Sequence, residues 1–167
     1  MRYFTSYESP LGRLTLACEE GRLTGLWTEG QQYFGGADGV PASRDDSQPV
    51  FLQAKEWLDR YFRGEQPPAT ELPLQISGSA FRQRVYQVLL GIPYGGTMSY
   101  RDIAARLNAQ PGQAPTSARA VGGAVGHNLL SILIPCHRVV GADGGLTGYA
   151  GGLARKQWLL RHEGAEI

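Results

Sequence analysis

The sequence predicts an α/β N-terminal domain with a small antiparallel sheet, followed by a mainly helical C-terminal domain containing a helix-turn-helix-like unit. Three observations carry this expectation. Residues 2–28 alternate apolar and polar side chains, the apolar spacing turns helical from Pro49 onward, and Ser77-Gly78-Ser79 makes a small polar hinge. The sign of the charge reverses at that hinge. Residues 1–77 carry seven Arg/Lys against eleven Asp/Glu (−4), and residues 78–167 carry nine against four (+5). The expected domains are therefore 1–77 and 78–167, with the basic half suited to an anionic partner, nucleic acid first among them.

Each element has a local reason. Residues 2–8, 12–19 and 22–28 read as strands, separated by turns at Ser9-Pro10-Leu11-Gly12 and Glu20-Gly21. In the middle strand Leu14, Leu16 and Cys18 take one face, Thr15 and Ala17 the other. Residues 30–49, rich in Gly, Gln, Asp and Ser, read as a loop. Phe51, Ala54, Leu58 and Tyr61 then repeat at helical intervals until Gly64. Pro67 and Pro68 break the chain, and Leu72–Ile76 is a candidate further strand. Beyond the hinge, Phe81, Val85, Val88 and Leu89 mark a helix that Ile92-Pro93-Tyr94-Gly95-Gly96 closes. Ser99 is placed to cap a short helix bearing Ile103, Ala104 and Leu107. A polar loop from Asn108 to Pro115 leads to Thr116 or Ser117, either of which can cap a helix running through Val125. Two short helices joined in this way resemble a helix-turn-helix with a long connection.

Composition narrows the function classes. A hydrophobic content of 42% with 19% charged residues is that of a globular chain rather than a disordered one. No run of eighteen apolar residues suggests a membrane span, and the first ten residues do not read as a secretory signal. Two cysteines make no disulfide framework, and three histidines are a poor basis for a metal site. A reducing compartment, the cytoplasm, is expected.

The sharpest chemical feature is Ile134-Pro135-Cys136-His137-Arg138-Val139. A cysteine beside a basic group can hold a thiolate, the form that attacks carbon. Cys18 instead sits on the apolar face of a strand with no histidine near it in sequence, as a small buried hydrophobe would. Adjacent residues of an extended segment point to opposite sides, so Cys136 and His137 need a local bend or a bridging water to communicate. A Cys-His pair also needs a third group to orient the imidazole, and Glu163 is the best candidate. A solvated carboxylate at a helix end is the alternative reading of Glu163.

Ile134 to Val139 resembles the active-site signature of the O6-alkylguanine-DNA alkyltransferases, also called methylated-DNA–protein-cysteine methyltransferases. Ser99-Tyr100, Ala118 to Ala124, Asn128, Gly148-Tyr149-Ala150-Gly151-Gly152-Leu153, Trp158-Leu159-Leu160 and His162-Glu163-Gly164 match in the same order, so the resemblance spans residues 79–165. Residues 1–77 resemble that family's N-terminal α/β domain in length and pattern.

The resemblance implies a direct-reversal DNA repair protein, acting once on O6-alkylguanine, with O4-alkylthymine left open as a second substrate. Cys136 would accept the alkyl group. His137 would take its proton, through water, with Glu163 orienting His137 and Asn128 holding the active-site turn. Tyr100 would give a proton to the departing guanine ring. Val139, Tyr149 and Ala150 would frame the base pocket, with backbone groups reading the guanine edge. The helix-turn-helix-like unit becomes DNA-binding: Arg119 would fill the gap left by an extruded nucleotide, and Ala120, Gly122 and Gly123 would make a thin helix surface against the minor groove of double-stranded DNA. No cofactor is implied, since the damaged base supplies the alkyl group, and a monomer is expected.

This chain departs from the family pattern in three places. The loop from Asn108 to Pro115 is longer than usual, Asn128 is followed by Leu129 rather than proline, and no histidine precedes His127, so no N-terminal zinc site is expected. Two rival readings are a Cys-His-Glu hydrolase and a lesion-binding protein without catalysis. The first wants an oxyanion hole that the sequence does not display, and relatives of the second kind lack the acceptor cysteine.

Overall fold

The computed structural model describes residues 1–36 and 38–166. Ala37, inside the expected loop 30–49, and Ile167, at the end of the expected second domain, lie outside the described residues. The chain divides into two compact units, one formed by residues 1–77 with 129–133 and the other by residues 78–128 with 134–167.

The first unit is built on an antiparallel meander of β1 (Arg2–Ser9), β2 (Gly12–Glu19) and β3 (Arg22–Thr28). The β2–β3 hairpin closes through Glu20 and Gly21, both at positive φ (49° and 76°). That conformation matches the right-handed twist of the flanking strands, and glycine adopts it at little cost. The expected alternation along β2 holds only as far as Leu16. A register shift between Ala17 and Cys18 buries both, so Ala17, assigned to the opposite face, also joins the core. Helix α1 (Pro49–Phe62) lies on the sheet with Phe51, Ala54 and Leu58 fully buried. Pro49 opens it, where a missing N–H costs nothing.

Leu72–Ile76 forms no named strand. A 3₁₀ turn occupies Ala69–Glu71, and the chain then makes one parallel bridge in which Leu23 N donates to Pro73 O and Gln75 N donates to Leu23 O. Pro73 has no N–H to extend a ladder. The loop after β3 likewise makes a parallel bridge to β1, where Phe4 N donates to Ser43 O and Asp45 N to Phe4 O. Residues 129–133, far along the sequence, pack with this unit. Leu26 N donates to Leu129 O and Ser131 N to Leu26 O.

The second unit is mainly helical, with α2 (Ala80–Leu90), α3 (Tyr100–Asn108), α4 (Ala118–Gly126) and α5 (Leu153–His162). Three serines start the first three. Ser79 accepts from Arg82 N, Ser117 from Ala120 N, and Ser99 forms a full capping box with Asp102. Ser117 rather than Thr116 is therefore the cap of α4. Asn108 closes the neck of the connection that follows α3, donating to Thr116 O (3.1 Å) and accepting from Thr116 N (2.7 Å). Tyr86 on α2 donates to Ala124 O on α4 at 3.1 Å.

One element of this unit has no counterpart in the sequence reading. β4 (Met98–Ser99) and β5 (Val139–Val140) pair in parallel, so Met98 faces Val139 and Ser99 faces Val140. This short pairing sets the start of α3 beside the segment that follows Cys136. Among the described residues, no helix is long and apolar enough to cross a membrane.

Candidate active site

The Pro135-Cys136 segment is not extended. Pro135 has φ −79° and ψ 62°, and Cys136 N donates to Ile134 O at 2.7 Å, which together make an inverse γ-turn. A single 3₁₀ turn over Cys136–Arg138 follows, with Arg138 N donating to Pro135 O at 3.0 Å. These two bends supply the local change of direction that a Cys-His pair on an extended strand would lack. Asn128, just past the end of α4, holds them from one side. Its Nδ2 donates to Ile134 O (2.9 Å) and to Cys136 Sγ (3.1 Å).

Cys136, His137 and Glu163 are all buried. Glu163 follows the last turn of α5, where Gly164 at φ 76° lets the chain leave and Ala165 N donates back to Leu160 O. Its carboxylate is far from solvated. Glu163 Oε2 lies 2.7 Å from His137 Nε2 and accepts from Arg138 Nη2 at 3.0 Å; Oε1 accepts from Arg138 Nε (2.7 Å) and Gly95 N (3.3 Å). Burial pushes the Glu163 carboxyl up, but the hydrogen bonds and charge of His137 and Arg138 outweigh it and hold it well below the usual carboxylate range. Arg138 is itself fixed, with Nη1 donating to Ile92 O at 2.7 Å and the guanidinium over the Tyr94 ring.

An ionised carboxylate can only accept, so His137 Nε2 carries the proton and Nδ1 presents a lone pair. Nδ1 is buried with no hydrogen-bond partner among the described residues. Burial pulls the His137 imidazolium down and outweighs the pull of Glu163, which favours the neutral ring. The Cys136 thiol is pushed up by burial, against the Asn128 hydrogen bond and the charge of Lys156. Both shifts favour a thiol and a neutral imidazole at rest. Such a site must deprotonate sulfur as the electrophile arrives.

Tyr100 is the first residue of α3 and is half-buried. A Cβ added to Gly122 would lie 3.8 Å from the Tyr100 ring, so that ring packs beside the backbone of α4. Arg119, Ala120 and Gly123 are exposed, and a Cβ on Gly123 or Gly126 would meet nothing within 4 Å. No neighbouring helix thus demands glycine on this side of α4. Val139 is fully buried, while Tyr149 and Ala150 are half-buried in the segment between β5 and α5.

Two residues have a place here that the sequence did not assign. Arg138 belongs to the Pro-Cys-His-Arg run, but nothing in that run names Glu163 as its partner. Lys156 is fully buried, with its Nζ donating to the carbonyls of Val139, Thr147 (2.7 Å) and Gly148 (3.4 Å). Its spacing to the buried Leu159 and Leu160 places it on the inner face of α5. No group of three or more His, Cys, Asp or Glu side chains among the described residues is arranged to hold a metal ion.

Comparison with known proteins covers nearly the whole chain. Residues 80–165 match the family model described as 6-O-methylguanine DNA methyltransferase, DNA binding domain, and residues 2–76 the model described as the ribonuclease-like domain of the same proteins. The methylated-DNA–protein-cysteine methyltransferase of Haemophilus influenzae is 41% identical over 96% of this chain and 86% of its own length. The constitutive methylated-DNA–protein-cysteine methyltransferase of Bacillus subtilis is 41% identical over 98% of this chain and 96% of its own. A crystal structure of Mycobacterium tuberculosis OGT in complex with DNA superposes with a TM-score of 0.82 at 42% identity, covering 96% of this chain and 92% of that one. With both halves matched in order, residues 2–76 and 80–165, the chain belongs to the 6-O-methylguanine DNA methyltransferase family.

Proposed function

We propose that this protein repairs O6-alkylguanine in double-stranded DNA by moving the alkyl group irreversibly onto Cys136. The observation that carries the mechanism is the state of His137. One ring nitrogen is committed to Glu163, and the other is a buried lone pair one residue from a thiol held by Asn128. In the first step the Cys136 proton passes through a water molecule to His137 Nδ1, and Glu163 stabilises the imidazolium. The thiolate attacks the saturated carbon on O6. The carbon–sulfur bond forms, the carbon–oxygen bond breaks, and its electron pair enters the guanine ring system. Tyr100 gives that ring a proton, since a purine anion is a poorer leaving group, and regains one from the imidazolium through solvent. The thioether product is not opened by water, so each molecule acts once. No cofactor enters this scheme.

A duplex hides the O6 group from a buried sulfur, so the nucleotide must leave the stack. We assign α3 and α4 the role of a helix-turn-helix-like unit whose α4 enters the minor groove. Ala120, Gly122 and Gly123 would let its backbone approach the sugar-phosphate chain, and Arg119 would fill the gap. Val139, Tyr149 and Ala150 would frame the extruded base. Residues 1–77 are read as a supporting domain and 78–167 as the catalytic one, in a monomer working in the cytoplasm.

Intact-mass measurement after mixing with O6-methylguanine DNA tests this reading. One methyl per protein on Cys136 is expected, with repair stopping at one equivalent and none at all for Cys136→Ala. Product accumulating beyond one equivalent would reject the single-use mechanism.

A further inference from the structure

Lysine is almost never fully buried without a counter-charge, because removing an ammonium from water is expensive. Lys156 is buried completely, yet its partners are three backbone carbonyls and no carboxylate. An ammonium has three N–H donors, and Val139, Thr147 and Gly148 supply three acceptors. These carbonyls belong to two stretches. Val139 begins β5, directly after the turn that presents Cys136. Thr147 and Gly148 lie in the segment between β5 and α5, which has no helix or strand of its own to hold it and which leads into Tyr149 and Ala150. One side chain of α5 thus fastens both edges of the proposed base pocket.

We propose that Lys156 is a positioning residue that fixes the carbonyl wall of Val139, Thr147 and Gly148 against which the extruded base is held. The inference rests on the alkyltransferase reading and deepens it. Burial pulls the Lys156 ammonium down to about 8, and the nearby Cys136 opposes that shift, so the amine remains mostly protonated at neutral pH. A methionine would fill the same space without donors, which separates the tie from the packing.

Four measurements on Lys156→Met test this. Transfer from saturating duplex O6-methylguanine DNA, in a single turnover, should slow about thirtyfold, as expected when a reacting group is displaced by a fraction of an ångström to an ångström. Chymotryptic cleavage at Leu146 and Tyr149 should accelerate as the segment loosens. Binding to unmodified duplex should stay within about twofold, because Lys156 faces no solvent. Alkylation of Cys136 by iodoacetamide, which needs no base pocket, should stay within about threefold. Lys156→Gln, with two donors on a shorter stem, should fall between wild type and Lys156→Met, and serves if the methionine variant fails to fold. Unchanged transfer with unchanged cleavage would overturn the proposal. So would an iodoacetamide rate that falls in step with transfer, since that places the lysine's role at the sulfur. Wild-type protein that leaves O6-methylguanine DNA untouched would fail the alkyltransferase reading itself, before any variant is compared.

Discussion

Cys18 and Cys136 are both free thiols with almost no exposed surface, 1% and 4%, and burial pushes both up. By burial alone they are the same residue. Their neighbourhoods separate them. Cys18 sits in β2 among the apolar side chains of the sheet, touched by a backbone hydrogen bond from Tyr3. Cys136 has an amide donor on its sulfur, a buried imidazole as its neighbour in sequence, a carboxylate fixing that imidazole, and a lysine charge that favours the thiolate. A buried thiol is inert by default, and what makes one useful is a prepared destination for its proton together with charges arranged to receive the anion.

The contrast is broken most directly at Glu163. Glu163→Gln keeps the shape but turns an acceptor oxygen into a donor facing His137 and Arg138, leaving a nearly buried guanidinium without its counter-charge. Transfer to Cys136 should slow about a hundredfold or more, the usual weight of a positioned general base. Urea unfolding should show a loss of about 3 kcal/mol, as when one partner of a buried pair is removed. The acid limb carries a second signature. The folded Glu163 pKa is depressed, so its contribution is present above the unfolded value of about 4.3 and is lost as pH falls below it. His137 is also depressed, so stability begins to fall as pH drops through the unfolded histidine value of about 6.5. Wild-type stability should therefore decline from about pH 6.5 and more steeply below about 4.3. Asp45, Asp46 and Glu65 are also depressed and titrate in the same window, so Glu163→Gln should make the steeper part shallower without abolishing it, and an unchanged acid limb would show that this carboxylate is not the ionised anchor described here.

Much of this site was legible because its signals are local. Ser99 with Asp102 three residues on, Ser117 before Ala118, and the Pro-Cys-His-Arg run are contiguous patterns with a physical meaning at each position. The fold was legible for the same reason where the period was clean, as in β1 to β3 and α1. What could not be read depends on partners distant in sequence. The β4–β5 pair joins two dipeptides about forty residues apart, too short to show any periodicity. The candidate strand at Leu72–Ile76 looked apolar enough, but Pro73 limits its pairing to one bridge. Residues 129–133 pack with the first unit because Leu26 supplies both a donor and an acceptor there, a fact no window around Leu129 contains. Lys156 was passed over because a charged residue is assumed to face water, although its spacing to Leu159 and Leu160 already put it inside.

Arg119 sharpens the contrast from another direction, because it lies on the exposed side of α4. If it acts only on DNA, Arg119→Ala should lower repair of duplex O6-methylguanine by about tenfold or more while reaction with free O6-benzylguanine stays within about twofold. Equal losses on the two substrates would mean that Arg119 acts on the chemistry or the fold rather than on the duplex.

The smallest effect is expected at Cys18, and it is the most demanding control on the comparison. Cys18→Ala removes one buried sulfur from the end of β2, where the register shift packs Ala17 and Cys18 together. The variant should lose about 1 kcal/mol in urea unfolding, as small core truncations do, and its transfer rate to Cys136 should remain within about twofold of wild type. In native protein the same thiol should resist iodoacetamide under conditions that label Cys136, since it has no base to take its proton. Were Cys18 to label as fast as Cys136, the network around His137 would not be what distinguishes them, and burial together with local opening would have to explain both.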